Sequence, residues 1–470
     1  MTKVANKLLT KDQESVIAQC TPKGSGAIAL LRVSGFNAFE LISKICKLSS
    51  KQPITCVKTH TINHGFIVDG NVVVDEVLFF AMRAPKTFTG QDTIEISCHN
   101  NQFIIQKIME LAISAGARLA ERGEFTQRAF LNKKIDLVQA ESINEIINAQ
   151  TELALKKSMS QLKGELSGFI NQIEERIFYL LSLVEGSLEF FEEEQQDLDI
   201  NNQIKQEVLN ILDQLNLLKL NFNQQKLIKD GIKICFLGGV NTGKSTLFNA
   251  ILKKDRAIVT DIAGTTRDIV ESCLYKEGNF WQLTDTAGIR STNDIIEKRG
   301  IDLSFEQAKI SDIILLILDS SKILSEEQFD VYKRIIKNYN KKIIFILNKI
   351  DIQDIKVVDN IKNEFPYDFI EVSSKKNIGL QKLEFIIENK IQKLFEKLES
   401  PFLLNGRQYN LVLKLIDDFK FIEQKLLVNL EHEILAHHLK QILENVASLT
   451  GRNINEKMLD KVFSEFCVGK

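Results

Sequence analysis

Five short segments hold most of the side chains that could do chemistry. Gly238-Gly-Val-Asn-Thr-Gly-Lys-Ser245 spaces its glycines so that backbone N–H groups can wrap phosphate oxygens. Lys244 would supply charge to the β- and γ-phosphates, and the Ser245 hydroxyl would ligate Mg²⁺. Asn241, Thr242, Gly243 and Thr246 complete that turn. Asp261-Ile-Ala-Gly-Thr-Thr266 follows, taking in Ile262, Ala263, Gly264 and Thr265, with Thr266 placed as the second Mg²⁺ hydroxyl. In Asp285-Thr286-Ala287-Gly288 the aspartate suits Mg²⁺ through water, and the Gly288 N–H suits the γ-phosphate. Asn348-Lys349-Ile-Asp351 offers a carboxylate that can accept two hydrogen bonds from guanine, which adenine cannot give. Ser373-Ser374-Lys375 would cover the base oxygen. Each segment alone reads equally well as an ordinary strand-end turn. All of them in this order describe a pocket for GTP.

The hydrolytic residue of Ras-type switches is absent. Those proteins place a glutamine directly after the D-x-x-G segment to orient water. Here that position is Ile289. Arg267 and Arg290 stand nearby, but neither is placed as an arginine finger. Water orientation must come from elsewhere, and Glu297 in the polar run 291–299 is a candidate.

These segments need strand ends to sit on, and the sequence supplies them. Ile232–Leu237, Phe280–Thr284, Asp312–Asp319, Lys342–Leu347 and Phe369–Ser373 are short apolar runs separated by helical stretches, the pattern of a parallel α/β sheet. Before them, 1–128 mixes strand signals (27–33, 72–80) with a helix over Phe103–Ala115 and predicts an α+β domain. Residues 129–229 read as helical, including a face of Val208, Ile211, Leu212, Leu215 and Leu218. The acidic run Glu189–Asp199 reads as a solvated loop. From 389 to 470 helices return, with Leu415, Phe419, Ile422 and Leu426 on one face and Ile434, Leu435, Leu439 and Ile442 on another. The expected architecture is therefore multidomain α/β. It has an N-terminal α+β domain (1–128), a helical domain in two parts (129–229 and 389–470) and a Ras-like P-loop domain (230–388) inserted between those parts.

Composition narrows the partners. Lys+Arg total 60 and Asp+Glu 62, so nucleic acid would have to be met by a local patch and not a global field. The seven cysteines form no C-x-x-C pair, which argues against a zinc ribbon and fits a reduced, cytoplasmic setting. The first residues lack the apolar core of a signal peptide, and no run approaches the roughly 20 apolar residues of a membrane span, so no membrane insertion is expected.

Four further segments carry a resemblance to a known family. They are Thr89-Gly-Gln-Asp-Thr-Ile-Glu95, Gly123-Glu-Phe-Thr-Gln-Arg-Ala-Phe-Leu-Asn132, Lys134-Ile-Asp-Leu-Val-Gln-Ala-Glu141 and the ending Phe466-Cys-Val-Gly-Lys470. Together with the nucleotide segments, the chain resembles the bacterial tRNA-modification GTPases of the MnmE (TrmE) family over essentially its whole length. The resemblance implies a homodimer that works with the flavoprotein MnmG (GidA), as a heterotetramer, on tRNA. The pair adds an aminomethyl or carboxymethylaminomethyl group at C5 of the wobble uridine. A tetrahydrofolate derivative, in the 5-formyl or 5,10-methylene form, supplies the carbon, and FAD belongs to the partner. The resemblance also implies K⁺ in the place of an arginine finger, with Asn241, Thr260, Ile262 and Thr265 at the matching ligand positions and Glu297 orienting water. The matching folate positions are Arg32, Glu95, Lys134 and Lys470, and Cys467 stands where a role in the modification chemistry is expected. Without the family, Arg32 and Glu95 read as salt-bridge partners at a sheet edge, and Cys467 as an idle thiol.

The chain departs from the family pattern at four places. Gly239-Val240 stands where Arg-Pro is usual, and His99-Asn100-Asn101 where His-Gly-Gly is usual. Thr21-Pro-Lys-Gly-Ser-Gly-Ala27 replaces Thr-Pro-Pro-Gly-x-Gly-Gly, and Val468 replaces isoleucine. His99 reads as a satisfied structural histidine ahead of a ligand. The competing functional reading is a regulatory or ribosome-assembly GTPase that binds RNA without modifying it.

Overall fold

The computed structural model describes residues 14–189, 194–219, 222, 228–229, 231–254, 270–276, 278–285, 305–395, 401–426 and 432–469. The chain forms two compact units: residues 1–144, 159–213 and 413–470 make the first, and 145–158 with 214–412 the second.

In the first unit the strands are β1 Val16–Gln19, β2 Ile28–Ser34, β3 Cys46–Leu48, β4 Thr61–Asp69, β5 Val72–Met82, β6 Thr93–His99 and β7 Arg118–Leu119. They form one sheet in the order β3-β4-β5-β6-β2-β1-β7, antiparallel except for β1 with β7. Alternation along β2 and β5 sends Leu31, Val33, Val77, Phe79 and Ala81 into a core shared with the helix Gln102–Ala115. That helix starts where the Asn101 side chain accepts from the Phe103 N–H, and stops at Gly116 in the left-handed conformation. The same unit contains the long helix Glu165–Glu189, which packs along His432–Thr450 through buried Ile170, Ile177 and Val184 on one side and Leu435, Leu439 and Ile442 on the other.

The second unit holds β8 Ile232–Leu237, β9 Val270–Lys276, β10 Asn279–Asp285, β11 Ile313–Asp319, β12 Ile343–Asn348 and β13 Phe369–Val372. Their order is β13-β12-β11-β8-β10-β9. All neighbours are parallel except β9, which pairs with β10 as an antiparallel edge. β11 and β12 are buried at every position, because helices cover both faces.

The sequence predicts a parallel sheet, and β9 adds an antiparallel edge that no apolar run announces, since an edge strand needs burial on fewer positions. Two further expectations are corrected. The acidic run 189–199 is not one loop: Glu189 ends a helix, and 194–199 belong to the helix Glu194–Lys219. Ile434 is exposed and lies off the face formed by Leu435, Leu439, Ile442 and Val446. Among the described residues no helix is long and apolar enough to cross a membrane.

Candidate functional site

The P-loop leaves β8 at Leu237 and enters the helix Lys244–Lys254. Its glycines are fixed by space. Gly238 (φ 159°) and Gly243 (φ 93°) have no room for a Cβ, which would run into the Ile317 carbonyl and the Asn348 amide. The loop therefore hugs the ends of β11 and β12 and turns its backbone into a cradle at a helix N-terminus, a geometry that suits phosphate. Lys244 is buried and its ammonium donates to the carbonyls of Gly238 (2.9 Å) and Gly239 (2.7 Å). Ser245 and Thr246 are exposed in the first turn of the helix. A hydroxyl at that position is the oxygen donor Mg²⁺ prefers. Donor set and cradle together fit a nucleotide polyphosphate with its metal.

Two residues that no sequence motif marked brace this loop. The Tyr332 hydroxyl, from the helix Glu326–Tyr339, accepts from the Gly239 N–H at 2.6 Å. Burial pushes that phenol up to about 12. A Cβ on Gly239 would come within 2.7 Å of the Gln328 amide, so the departure from arginine leaves space that Gln328 and Tyr332 use.

The base-side segments lock onto each other and onto the P-loop. Asn348 donates to the Thr242 carbonyl (2.9 Å), and its side-chain oxygen accepts from both the N–H and the hydroxyl of Ser374 (3.1 and 2.8 Å). Ser373 donates its hydroxyl to Asp351 (2.7 Å), which holds that carboxyl below its ordinary value. Lys349 donates to the Asn241 carbonyl and to Asp319, each at 2.6 Å. Lys375 is exposed. The structure thus brings together Asn241, Thr242, Gly243, Lys244, Asn348, Lys349, Asp351, Ser373 and Ser374. Asp285 is placed by its backbone, at the end of β10 opposite Phe236. Thr260 through Thr266, Thr286, Ala287, Gly288, Glu297 and Lys470 lie outside the described residues.

A family model described as the MnmE helical domain matches residues 137–467, and one described as the GTP-binding protein TrmE N-terminus matches 15–134. The chain is 35% identical to the tRNA modification GTPase MnmE of Christiangramia forsetii, over 98% of this chain and all of that protein. Against the proteins of the same name from Flavobacterium psychrophilum and Thermotoga maritima it is 36% and 34% identical, over 97% of this chain and 99% and 100% of theirs. The chain belongs to the MnmE family of tRNA modification GTPases. Its helical-domain match runs on both sides of the β8–β13 sheet, so the P-loop domain is an insertion in the family's helical domain.

The family's N-terminal segments have visible structural work. Gly123 adopts φ 67°, and a Cβ there would lie 2.6 Å from the Phe463 carbonyl. Glu124 is buried and accepts from Arg118 (2.6 and 2.8 Å) and Arg128 (2.8 Å). Burial alone would raise its carboxyl, but the two guanidinium groups and the Glu121 N–H bring it below the usual range. Arg128 reaches on to Gln91 and the Glu14 carbonyl.

Arg32 and Glu95 face each other across β2 and β6 and form a 2.7 Å ion pair, with the guanidinium 5.4 Å from the Phe125 ring centre. Both strands are interior, so this is not the edge pair that the sequence suggested. The Lys134 ammonium donates to the Pro85 carbonyl at 3.0 Å, and its stem lies beside Gly90. The His99 ring and N–H both meet the buried Asp75 carboxylate (2.7 and 2.9 Å). Asn100 donates to the Gly24 carbonyl at 2.9 Å, so one family departure braces another.

The tail returns to this domain. The Gly123 N–H donates to the Cys467 carbonyl (3.3 Å), Val468 bridges to Arg122, and the Gly469 carbonyl accepts from the Cys20 thiol at 3.2 Å. Gln19, which Gly469 abuts, is paired with Leu31, next to Arg32. Cys467 itself is exposed, whereas burial pushes the Cys46 thiol up to about 12 and those of Cys98 and Cys235 to about 11.

Proposed function

We propose that this GTP hydrolase of tRNA modification works in the cytoplasm as a K⁺-stimulated homodimer with the flavoprotein MnmG (GidA), which carries FAD. Together they add an aminomethyl or carboxymethylaminomethyl group at C5 of the wobble uridine, using a 5-formyl or 5,10-methylene tetrahydrofolate. The domains are 1–128 for folate and dimerisation, 129–229 with 389–470 for the helical body, and 230–388 for GTP. The observation that carries this reading is the return of the tail. Cys467–Gly469 lies against Gly123 and against Gln19–Cys20, in the same unit as the Arg32–Glu95 pair, so family segments from opposite ends of the chain converge. A generic RNA-binding GTPase has no use for that convergence.

In the nucleotide site, Lys244 would supply positive charge to the phosphates, Ser245 and Thr266 would hold Mg²⁺, and Asp285 and Gly288 would respond to the γ-phosphate. Asp351 accepts the guanine N–H groups, while Asn348 and Ser374 keep that edge rigid and Lys375 covers it. Asn241, Thr260, Ile262 and Thr265 would hold K⁺, which supplies the positive charge an arginine finger gives elsewhere. Glu297 orients the attacking water in place of the glutamine that Ile289 displaces. In the N-terminal domain Glu95 suits the paired N–H donors of a pterin, and Arg32, Lys134 and Lys470 suit its carbonyl or glutamate tail. The sheet face carrying exposed Ile28, Ile62 and Leu78 is free to meet a second copy.

Two measurements test the reading. Hydrolysis in K⁺ should far exceed that in Na⁺, and Glu297→Ala should lower kcat by about a hundredfold with nucleotide still bound. Wobble-uridine nucleosides, followed by mass spectrometry, should lose the modification in a deletion strain. An unchanged nucleoside profile would leave the RNA-binding switch as the better reading.

A further inference from the structure

Asp319 lies outside every nucleotide-binding segment, yet it is bonded to one of them through Lys349. It closes β11, and its register partner across the sheet is Asn348. Its side chain is only 6% exposed. Burial would raise the carboxyl, but the Lys349 ammonium and Ser321 overcome that and keep it below the ordinary range. One carboxylate oxygen accepts from Lys349 at 2.6 Å. The other accepts from the N–H and the hydroxyl of Ser321, at 2.9 and 2.6 Å. The carboxylate is therefore fixed on one side and can fix Lys349 on the other.

The same Lys349 ammonium donates to the Asn241 carbonyl at 2.6 Å. Lys349 and Asn241 both adopt the left-handed conformation, with φ of 67° and 60°. Lysine resists that region and stays there only where the surroundings over-determine it, whereas asparagine visits it readily. Here one ammonium, held by a buried carboxylate, ties the strained Lys349 to the Asn241 backbone.

We propose that Asp319 is a positioning residue: through Lys349 it sets the Asn241 backbone, and so couples the guanine-reading segment to the part of the P-loop that presents the Asn241 side chain to K⁺. The K⁺ arm of this proposal rests on the reading of Asn241 given above; the nucleotide arm does not. A purely structural ion pair would stabilise the fold without moving either binding constant.

The test uses the full-length protein. Asp319→Asn keeps the shape and removes the charge. Titration with a fluorescent GDP analogue should show its Kd rise about tenfold, as expected for a charged hydrogen bond lost from a buried site. The K⁺ concentration for half-maximal hydrolysis should rise severalfold, while kcat at saturating K⁺ and GTP changes little. Ser321→Ala, which leaves Lys349 and the loops untouched, should shift both constants the same way by a smaller factor. It serves as the deciding variant if Asp319→Asn does not fold. A lower melting temperature with unchanged GDP affinity and unchanged K⁺ half-saturation would overturn the proposal. Equal wild-type rates in K⁺ and Na⁺ would remove the K⁺ reading itself, and GDP affinity alone would then decide the role of Asp319.

Discussion

Asp351 owes its aim to a neighbour. The Ser373 hydroxyl, 2.7 Å away, donates to one carboxylate oxygen and holds the carboxyl below its ordinary value. Asp351→Asn replaces one acceptor with a donor, which opposes the guanine N–H groups and matches a xanthine carbonyl. GTP affinity should fall by roughly a hundredfold, with xanthosine triphosphate becoming the better substrate in competition assays. Retained discrimination against the xanthine nucleotide would remove Asp351 from base recognition. This residue was legible in the sequence because Asn-Lys-x-Asp is a local pattern at a strand end. Asp319 and Tyr332 were not, since each acts on residues 30 and 93 positions away through contacts that only the sheet creates.

Among the elements, the helix Glu124–Leu131 carries one of the segments shared with the family, and its buried contacts are structural. Gly123 enters it with a left-handed turn against the Phe463 carbonyl, so Gly123→Ala should cost about 2 kcal/mol or more in denaturant unfolding. Glu124→Gln leaves two guanidinium groups short of their carboxylate and should cost about 3 kcal/mol at neutral pH. The pH dependence has a defined sign. The folded carboxyl of Glu124 lies below its unfolded value, so its contribution is present above the unfolded value and disappears as pH falls through the folded one. Wild type and Glu124→Gln should therefore differ above about pH 5 and converge in stronger acid. A stability gap that stays constant into strong acid would contradict the ionised pairing.

For the whole molecule, hydrolysis and modification should separate. The P-loop and its bracing residues lie in the second unit, while Cys467 lies in the first. Deleting 467–470 keeps buried Phe466 and its packing against Phe463. Hydrolysis in K⁺ should persist within about twofold, because substitutions or deletions away from a site leave it largely intact. Wobble-uridine modification, read by nucleoside mass spectrometry, should be lost, and Cys467→Ser should report how much of that loss belongs to the thiol. Intact modification in the deletion would confine the tail to a structural role.

The sequence by itself determined the family, the fold class with its P-loop domain, and the isoleucine that follows the D-x-x-G segment. These are written in local patterns: glycine spacing, strand-end motifs, and a change from helical to alternating or continuous apolar period. Only the tertiary structure decided that Arg32 and Glu95 pair inside the sheet, that β9 turns antiparallel at its edge, and that Glu124 is a buried clamp. It alone placed Asp319 behind Lys349 and Asn241. The physical reason is common to all of these. A carboxylate's partner, its burial and the strain it relieves depend on residues brought together by strand register and helix packing, and no local spacing encodes them.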